Sequence, residues 1–146
     1  MLAPSSRARG GYSLVELVFV LTIMAMVSFA GLHALHVLLD GAAARAAVRS
    51  AARVVARARD EAVALQTPVS VRIDTVTAAL ELVTRYGVFG RAALGQQHGV
   101  TISTTRDSIT FDVRGLGYGA ANLTLVARRG RASDTLVVSR LGRTRY

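Results

Sequence analysis

Six of the last 19 residues are arginine: Arg128, Arg129, Arg131, Arg140, Arg143 and Arg145. Asp134 is the one acid among them. A guanidinium is a planar fork that holds phosphate bidentately, so a cluster of this kind suits a nucleic-acid backbone. Arg143 and Arg145 are two residues apart, and on a strand they point to the same face. Exposed arginines with no ligand account for the same residues, and both readings stand at this level.

The remaining groups supply few parts for catalysis. There is no cysteine, which excludes thiol catalysis, disulfides and thiolate metal sites. His33 and His36 lie in an apolar segment, where three-residue spacing puts both on one helix face. Hydrogen bonding between helices explains them better than a metal pair. His98 stands alone in a glycine-rich stretch. No Ser-His-Asp pattern, phosphate loop or facing pair of acids is visible, and seven of the nine acids are scattered beyond residue 59. The sequence therefore reads as a non-enzyme with no cofactor, no metal and no small-molecule substrate.

The elements that carry these groups begin with an uncharged run. Leu17 to Leu39 is 23 residues without a charge. As a helix it spans about 35 Å, enough to cross a bilayer core of about 30 Å with some tilt. It is too long for the apolar core of a secretory signal peptide. Glu16 sits at its N-terminal edge, with Arg7 and Arg9 before it. Arg45, Arg49, Arg53, Arg57 and Arg59 follow the run, and that count alone puts the C-terminal part in the cytoplasm.

Helical character continues past the run. Residues 40–65 are dominated by Ala, Arg, Val and Leu, with proline absent until Pro68. Ala44, Val48, Ala51, Val55, Ala58, Ala62 and Leu65 recur at three- and four-residue steps and line one face. Arg45, Arg49, Arg53 and Arg57 line another, as a solvated row or a seam for acidic neighbours. One helix of about 50 residues, about 75–80 Å long, follows from this. Gly41 is a candidate point of loosening.

After Pro68 the period changes to two. Val69, Val71 and Ile73 mark a strand, Asp74-Thr75 a turn, and Ala78 to Val83 a second strand. Residues 84–99, with four glycines, read as an irregular loop. Further strands are expected at Val100 to Thr104, Ile109 to Val113, Leu123 to Arg128, Thr135 to Ser139 and Arg143 to Tyr146. Such spacing implies an antiparallel sheet or small sandwich built against the helix.

Gly11-Tyr12-Ser13-Leu14-Val15-Glu16-Leu17 resembles the class III signal of type IV prepilins and type II secretion pseudopilins. The resemblance implies cleavage after Gly11 by a prepilin peptidase, and N-methylation of Tyr12. Glu16 then becomes the fifth residue of the mature chain, the position whose glutamate neutralises the N-terminal amine of a neighbouring subunit. Tyr12 departs from the usual phenylalanine but stays aromatic. Three more stretches are similar to the GspH/FimT group. They are Ala56 to Ala62 with Pro68-Val69, Ile109 to Gly115 (an F-D-x-x-G strand and turn), and Val137 to Arg145 (a V-S-x-x-G-R-x-R ending). Asp60, and Val113-Arg114 before Gly115, depart from the usual pattern.

The expectation is therefore an α+β, pilin-like chain. A long N-terminal helix, membrane-spanning in its first half, packs on a small antiparallel β-domain. The divisions are a leader at 1–11, a transmembrane helix at 12–39, the periplasmic half of the helix at 40–67 and a β-rich domain at 68–146. Losing residues 1–11 leaves 16 basic and 9 acidic side chains, a formal +7. The resemblance implies a GspH-like minor pseudopilin near the tip of a type II secretion pseudopilus. Its place is the bacterial inner membrane, single-pass, with the C-terminal domain in the periplasm. The implied partners are other pilin or pseudopilin subunits, the prepilin peptidase and inner-membrane lipid. The alternative is a FimT-like minor pilin that binds DNA for natural transformation through its Gly142-Arg143-Thr144-Arg145 ending.

Overall fold

The computed structural model describes residues 13–118 and 122–146. Gly11 and Tyr12 lie outside the described residues. The chain divides into two compact units, Met1–His36 and Val37–Tyr146. Within the first, residues 14–36 are helical and every side chain from 13 to 36 is exposed.

Helix α1 runs Leu14–Ala64 and continues through Gly41. Its composition explains its length, since Ala, Leu and Arg lose little side-chain freedom in a helix. Burial starts at Ala44 and follows the three- and four-residue steps: Ala44, Ala47, Val48, Ala51, Ala52, Val55, Ala58 and Ala62. Six of these eight are alanine, so the buried face of the helix is narrow and smooth. Leu65 does not belong to that face; it is exposed and lies past the last helical residue. The helix ends there because Gln66 adopts φ +49°. The Thr67 N–H then reaches the Ala62 carbonyl at 3.3 Å and the Gln66 N–H the Val63 carbonyl at 3.4 Å. This is a Schellman-type end, followed by Pro68, which cannot continue a helix.

Two antiparallel four-stranded sheets follow. The strands are β1 (Val69–Asp74), β2 (Ala79–Thr84), β3 (Gly87–Ala93), β4 (Thr101–Thr104), β5 (Ser108–Phe111), β6 (Leu123–Arg129), β7 (Ala132–Val138) and β8 (Thr144–Arg145). Helix α2, Leu94–His98, follows β3. The sheet orders are β3-β2-β1-β5 and β4-β6-β7-β8. One core joins both sheets to the buried face of α1, with Phe111, Leu80, Leu94, Leu123, Leu125 and Leu136 its largest fully buried side chains. Each such residue contributes about 1.5–3 kcal/mol of apolar burial.

Residues 84–99 are not an irregular loop. Thr84 ends β2, Gly87–Ala93 form β3 and Leu94–His98 form α2. Gly90 is a strand residue at a bulge between Leu82 and Val83, and a Cβ there would come within 2.9 Å of Leu82 Cδ1. Glycine there serves close packing rather than chain reversal. Strand β5 stops at Phe111, two residues before the expected end, because Asp112 turns the chain. Its carboxylate accepts the Arg114 and Leu116 N–H groups at 2.9 and 2.8 Å. Strand β7 begins at Ala132, not Thr135. Polar Ser133 and Asp134 are paired with Arg128 and Ala127 across a two-residue turn. Strand β8 is confined to Thr144–Arg145.

Candidate functional site

The six C-terminal arginines do not form one cluster. Strand β7 separates them into two groups, about 20 Å apart at the strand rise. Arg140, Arg143 and Arg145 follow its C-terminal end, while Arg128, Arg129 and Arg131 surround the turn before it.

At the C-terminal end a short turn brings the chain back. Gly142 adopts φ +72°, and its N–H donates to the Ser139 carbonyl at 2.9 Å. The Ser139 N–H donates to the Arg143 carbonyl at 2.8 Å. Thr144 and Arg145 then pair with Val138 and Val137. Arg143 and Arg145 are exposed, and Thr144 between them is half-buried. This is the alternation expected of an edge strand.

That strand lies along α1. Ala56, Arg59, Asp60, Gly142, Arg143, Thr144 and Arg145 line one groove. Arg49, Ala52, Arg53, Ala56, Thr144 and Tyr146 line the next. The floor is alanine and the walls are arginine, so two arginine sets far apart in sequence share one surface. Arg59 is held there by its stem. A Cβ on Gly142 would lie 3.5 Å from Arg59 Cδ, and one on Gly115 would lie 3.1 Å from Arg59 Cγ. The acids nearby are Asp60, which lines the groove, and Glu61, which pairs with Arg57 at 3.5 Å. Among the described residues, Arg49, Arg53, Arg59, Arg143 and Arg145 make no ion pair. Such a surface offers forks to an extended polyanion. The helix row is visible in the sequence, but its meeting with the C-terminal arginines is not, because only the order β4-β6-β7-β8 sets the last strand at a sheet edge.

At the other end, Arg129 Nε pairs with Asp40 Oδ1 at 3.1 Å. Its Nη1 donates to the His98 carbonyl at 2.8 Å. His98 Nε2 lies 3.2 Å from Ser50 Oγ, which also accepts from Arg53 Nη2 at 2.9 Å. Arg129 is therefore committed to the fold, while Arg128 and Arg131 are exposed.

Glu16 lies in the first turn of α1 and is exposed, as are His33 and His36. Among the described residues no group of three or more His, Asp or Glu side chains could hold a metal. The Asp74 carboxyl is held below its ordinary value by the Thr77 hydroxyl first, then by the Val76 and Thr77 N–H groups. That arrangement caps a turn.

No protein-family model and no curated protein matches the chain. Solved structures do. The type IV minor pilin FimU of Pseudomonas aeruginosa superposes with a TM-score of 0.59 at 17% identity, over 70% of this chain and 86% of that one. The minor pseudopilin EpsH from the type 2 secretion system of Vibrio cholerae superposes with a TM-score of 0.56 at 16% identity, over 70% of this chain and 94% of that one. With a long N-terminal helix packed on two antiparallel sheets, this chain has the pilin-like fold of those minor pilins and pseudopilins.

Proposed function

We propose that the chain is a minor pilin-like subunit, a GspH-like pseudopilin that joins a type II secretion pseudopilus near its tip and supports protein secretion. The observation that carries this reading is the N-terminal part of α1. It is long and apolar enough to cross a membrane, and none of its side chains from 14 to 39 is buried. An uncovered apolar helix needs lipid or neighbouring helices around it. The likeness to EpsH supports the same reading through the fold. The N-terminal motif adds the processing step: cleavage after Gly11, methylation of Tyr12, and Glu16 as the partner of a neighbouring subunit's N-terminal amine. In this reading residues 1–11 are a leader, 12–39 the inner-membrane anchor, and 40–146 the periplasmic part.

Co-expression with a prepilin peptidase tests the processing. The wild type is expected to shorten on a gel, and Gly11→Val to remain full length. Equal migration of the two sinks the prepilin reading. Deletion of the gene then tests the machine, with loss of protein secretion and intact transformation expected.

A second reading is favoured by one observation, the placing of Arg143 and Arg145 beside Arg59 in one groove, with Arg49 and Arg53 lining the adjoining one. It makes the chain a DNA-binding minor pilin whose site is this groove and excludes the Arg128–Arg131 turn. Titration with duplex DNA at several salt concentrations separates the two readings. Binding that weakens by about 0.9 log unit per log unit of salt for each phosphate neutralised, and that Arg143→Ala with Arg145→Ala abolishes, selects the DNA reading. No binding near physiological salt leaves the secretion subunit.

A further inference from the structure

We propose that the turn between β6 and β7 is a headgroup contact, with Arg128 and Arg131 seated on the phosphates of anionic phospholipid. The inference rests on the reading of the uncharged run as a membrane anchor. Within residues 37–146 three observations locate the turn at the end of that run. Val37, Leu38 and Leu39 are its last apolar side chains, and all three are exposed. Asp40 follows directly and pairs with Arg129, so the turn is tied to the first charged residue after the run. A Cβ on Gly130 would collide with the Asp40 carboxylate, which places the turn backbone against the helix at this level.

The charge there is uneven. Arg129 neutralises Asp40, leaving Arg128 and Arg131 exposed on either side. Arg45 adds a charge on the helix itself, its guanidinium folded back to within 3.7 Å of where a Gly41 Cβ would stand. A long basic side chain that bends toward the membrane end of its helix brings its charge to the headgroups. The nearest other acid on the hairpin, Asp134, sits in β7 opposite Ala127 and caps the Thr135 N–H at 2.9 Å. Among the described residues Arg45, Arg128 and Arg131 make no ion pair, and they belong to the turn held at Asp40 and to the helical turn that follows it. Each arginine near an anionic leaflet multiplies the docked population by about fivefold, and the attraction decays within a Debye length.

The absence of cysteine makes the test direct. The full chain carrying Ser133→Cys, labelled with a fluorophore, is reconstituted in nanodiscs of phosphatidylglycerol or of phosphatidylcholine, each doped with a headgroup quencher. A second variant, Val27→Cys, reports whether the apolar run is in the bilayer. The expected result is a Val27 label buried in both bilayers, and a Ser133 label quenched in phosphatidylglycerol but not in phosphatidylcholine. Arg128→Ala with Arg131→Ala should reduce the docked population by about 25-fold, and high salt should reduce it likewise. A buried Val27 label with equal Ser133 quenching in both lipids overturns the proposal and leaves the turn free to face another subunit. A water-exposed Val27 label overturns the anchor reading and this contact with it.

Discussion

Arg129 and Asp40 stand 89 positions apart in sequence, and their side chains meet at 3.1 Å. The same guanidinium donates to the His98 carbonyl at 2.8 Å, so one side chain joins α1, the end of α2 and the β6–β7 turn. A residue that reads in sequence as one of six phosphate-binding arginines is a structural fastener. Its neighbours Arg128 and Arg131 keep their charge for solvent or a partner.

The pair is partly exposed, with side-chain accessibilities of 41% and 29%, so its coupling is expected to be modest, about 0.5–1 kcal/mol. A double-mutant cycle of Arg129→Ala and Asp40→Ala, read by urea unfolding of the detergent-solubilised chain, measures it. Arg129→Ala alone should cost more than Asp40→Ala, because it also strips the His98 carbonyl of its donor. Equal single-mutant effects would mean that the His98 contact adds nothing.

Gly130 should be the least replaceable residue of that turn. It adopts φ +54°, and a Cβ would strike the Asp40 carboxylate. Gly130→Ala is expected to cost about 1–3 kcal/mol. Pairing it with Asp40→Ala removes the collision and should recover part of the loss. If the double variant is no more stable than Gly130→Ala, backbone strain alone is responsible.

Helix α1 was legible because one signal dominated each half: an unbroken absence of charge to Leu39, then alanine and valine at helical steps. The β-domain was legible where strands alternate, as in Val69-Ser70-Val71-Arg72-Ile73. Two features were not. In β3, Gly87 and Gly90 mimic loop punctuation although Gly90 is a strand residue packed on Leu82. The arginine cluster looked continuous because sequence spacing hides strand length. Seven residues of β7 carry Arg131 and Arg140 to opposite ends of a sheet. The joining of Arg143 to Arg59 depends on strand order, which no local pattern encodes.

Asp74 gives a pH signature. Hydrogen bonds from Thr77 and Val76 favour its ionised form, so its folded pKa lies below the ordinary 3.8. Its contribution to stability is therefore complete above that ordinary value and is lost as pH falls through the lower folded value. Asp74→Asn should lower the urea midpoint at about pH 7 and have a smaller effect once the pH is well below 3.8. A deficit that stays constant across this range would show that the carboxylate charge is irrelevant to the turn.

Arg59 separates packing from charge in the groove along α1. Its stem lies against Gly115 and Gly142, the two glycines of the F-D-x-x-G and G-R-x-R stretches, while its guanidinium carries no ion pair among the described residues. Arg59→Met keeps the stem and removes the charge; Arg59→Ala removes both. Stability should follow the stem, with Met close to wild type and Ala lower by about 1 kcal/mol, since long basic side chains cover apolar surface with their methylenes. Polyanion binding should follow the charge. Both variants should lose about 0.9 from the slope of log affinity against log salt, the release expected for one phosphate contact. If Met keeps the wild-type slope, the guanidinium is not part of a phosphate surface. The C-terminal arginines would then have to act without the helix, which takes away the observation that favours the DNA reading.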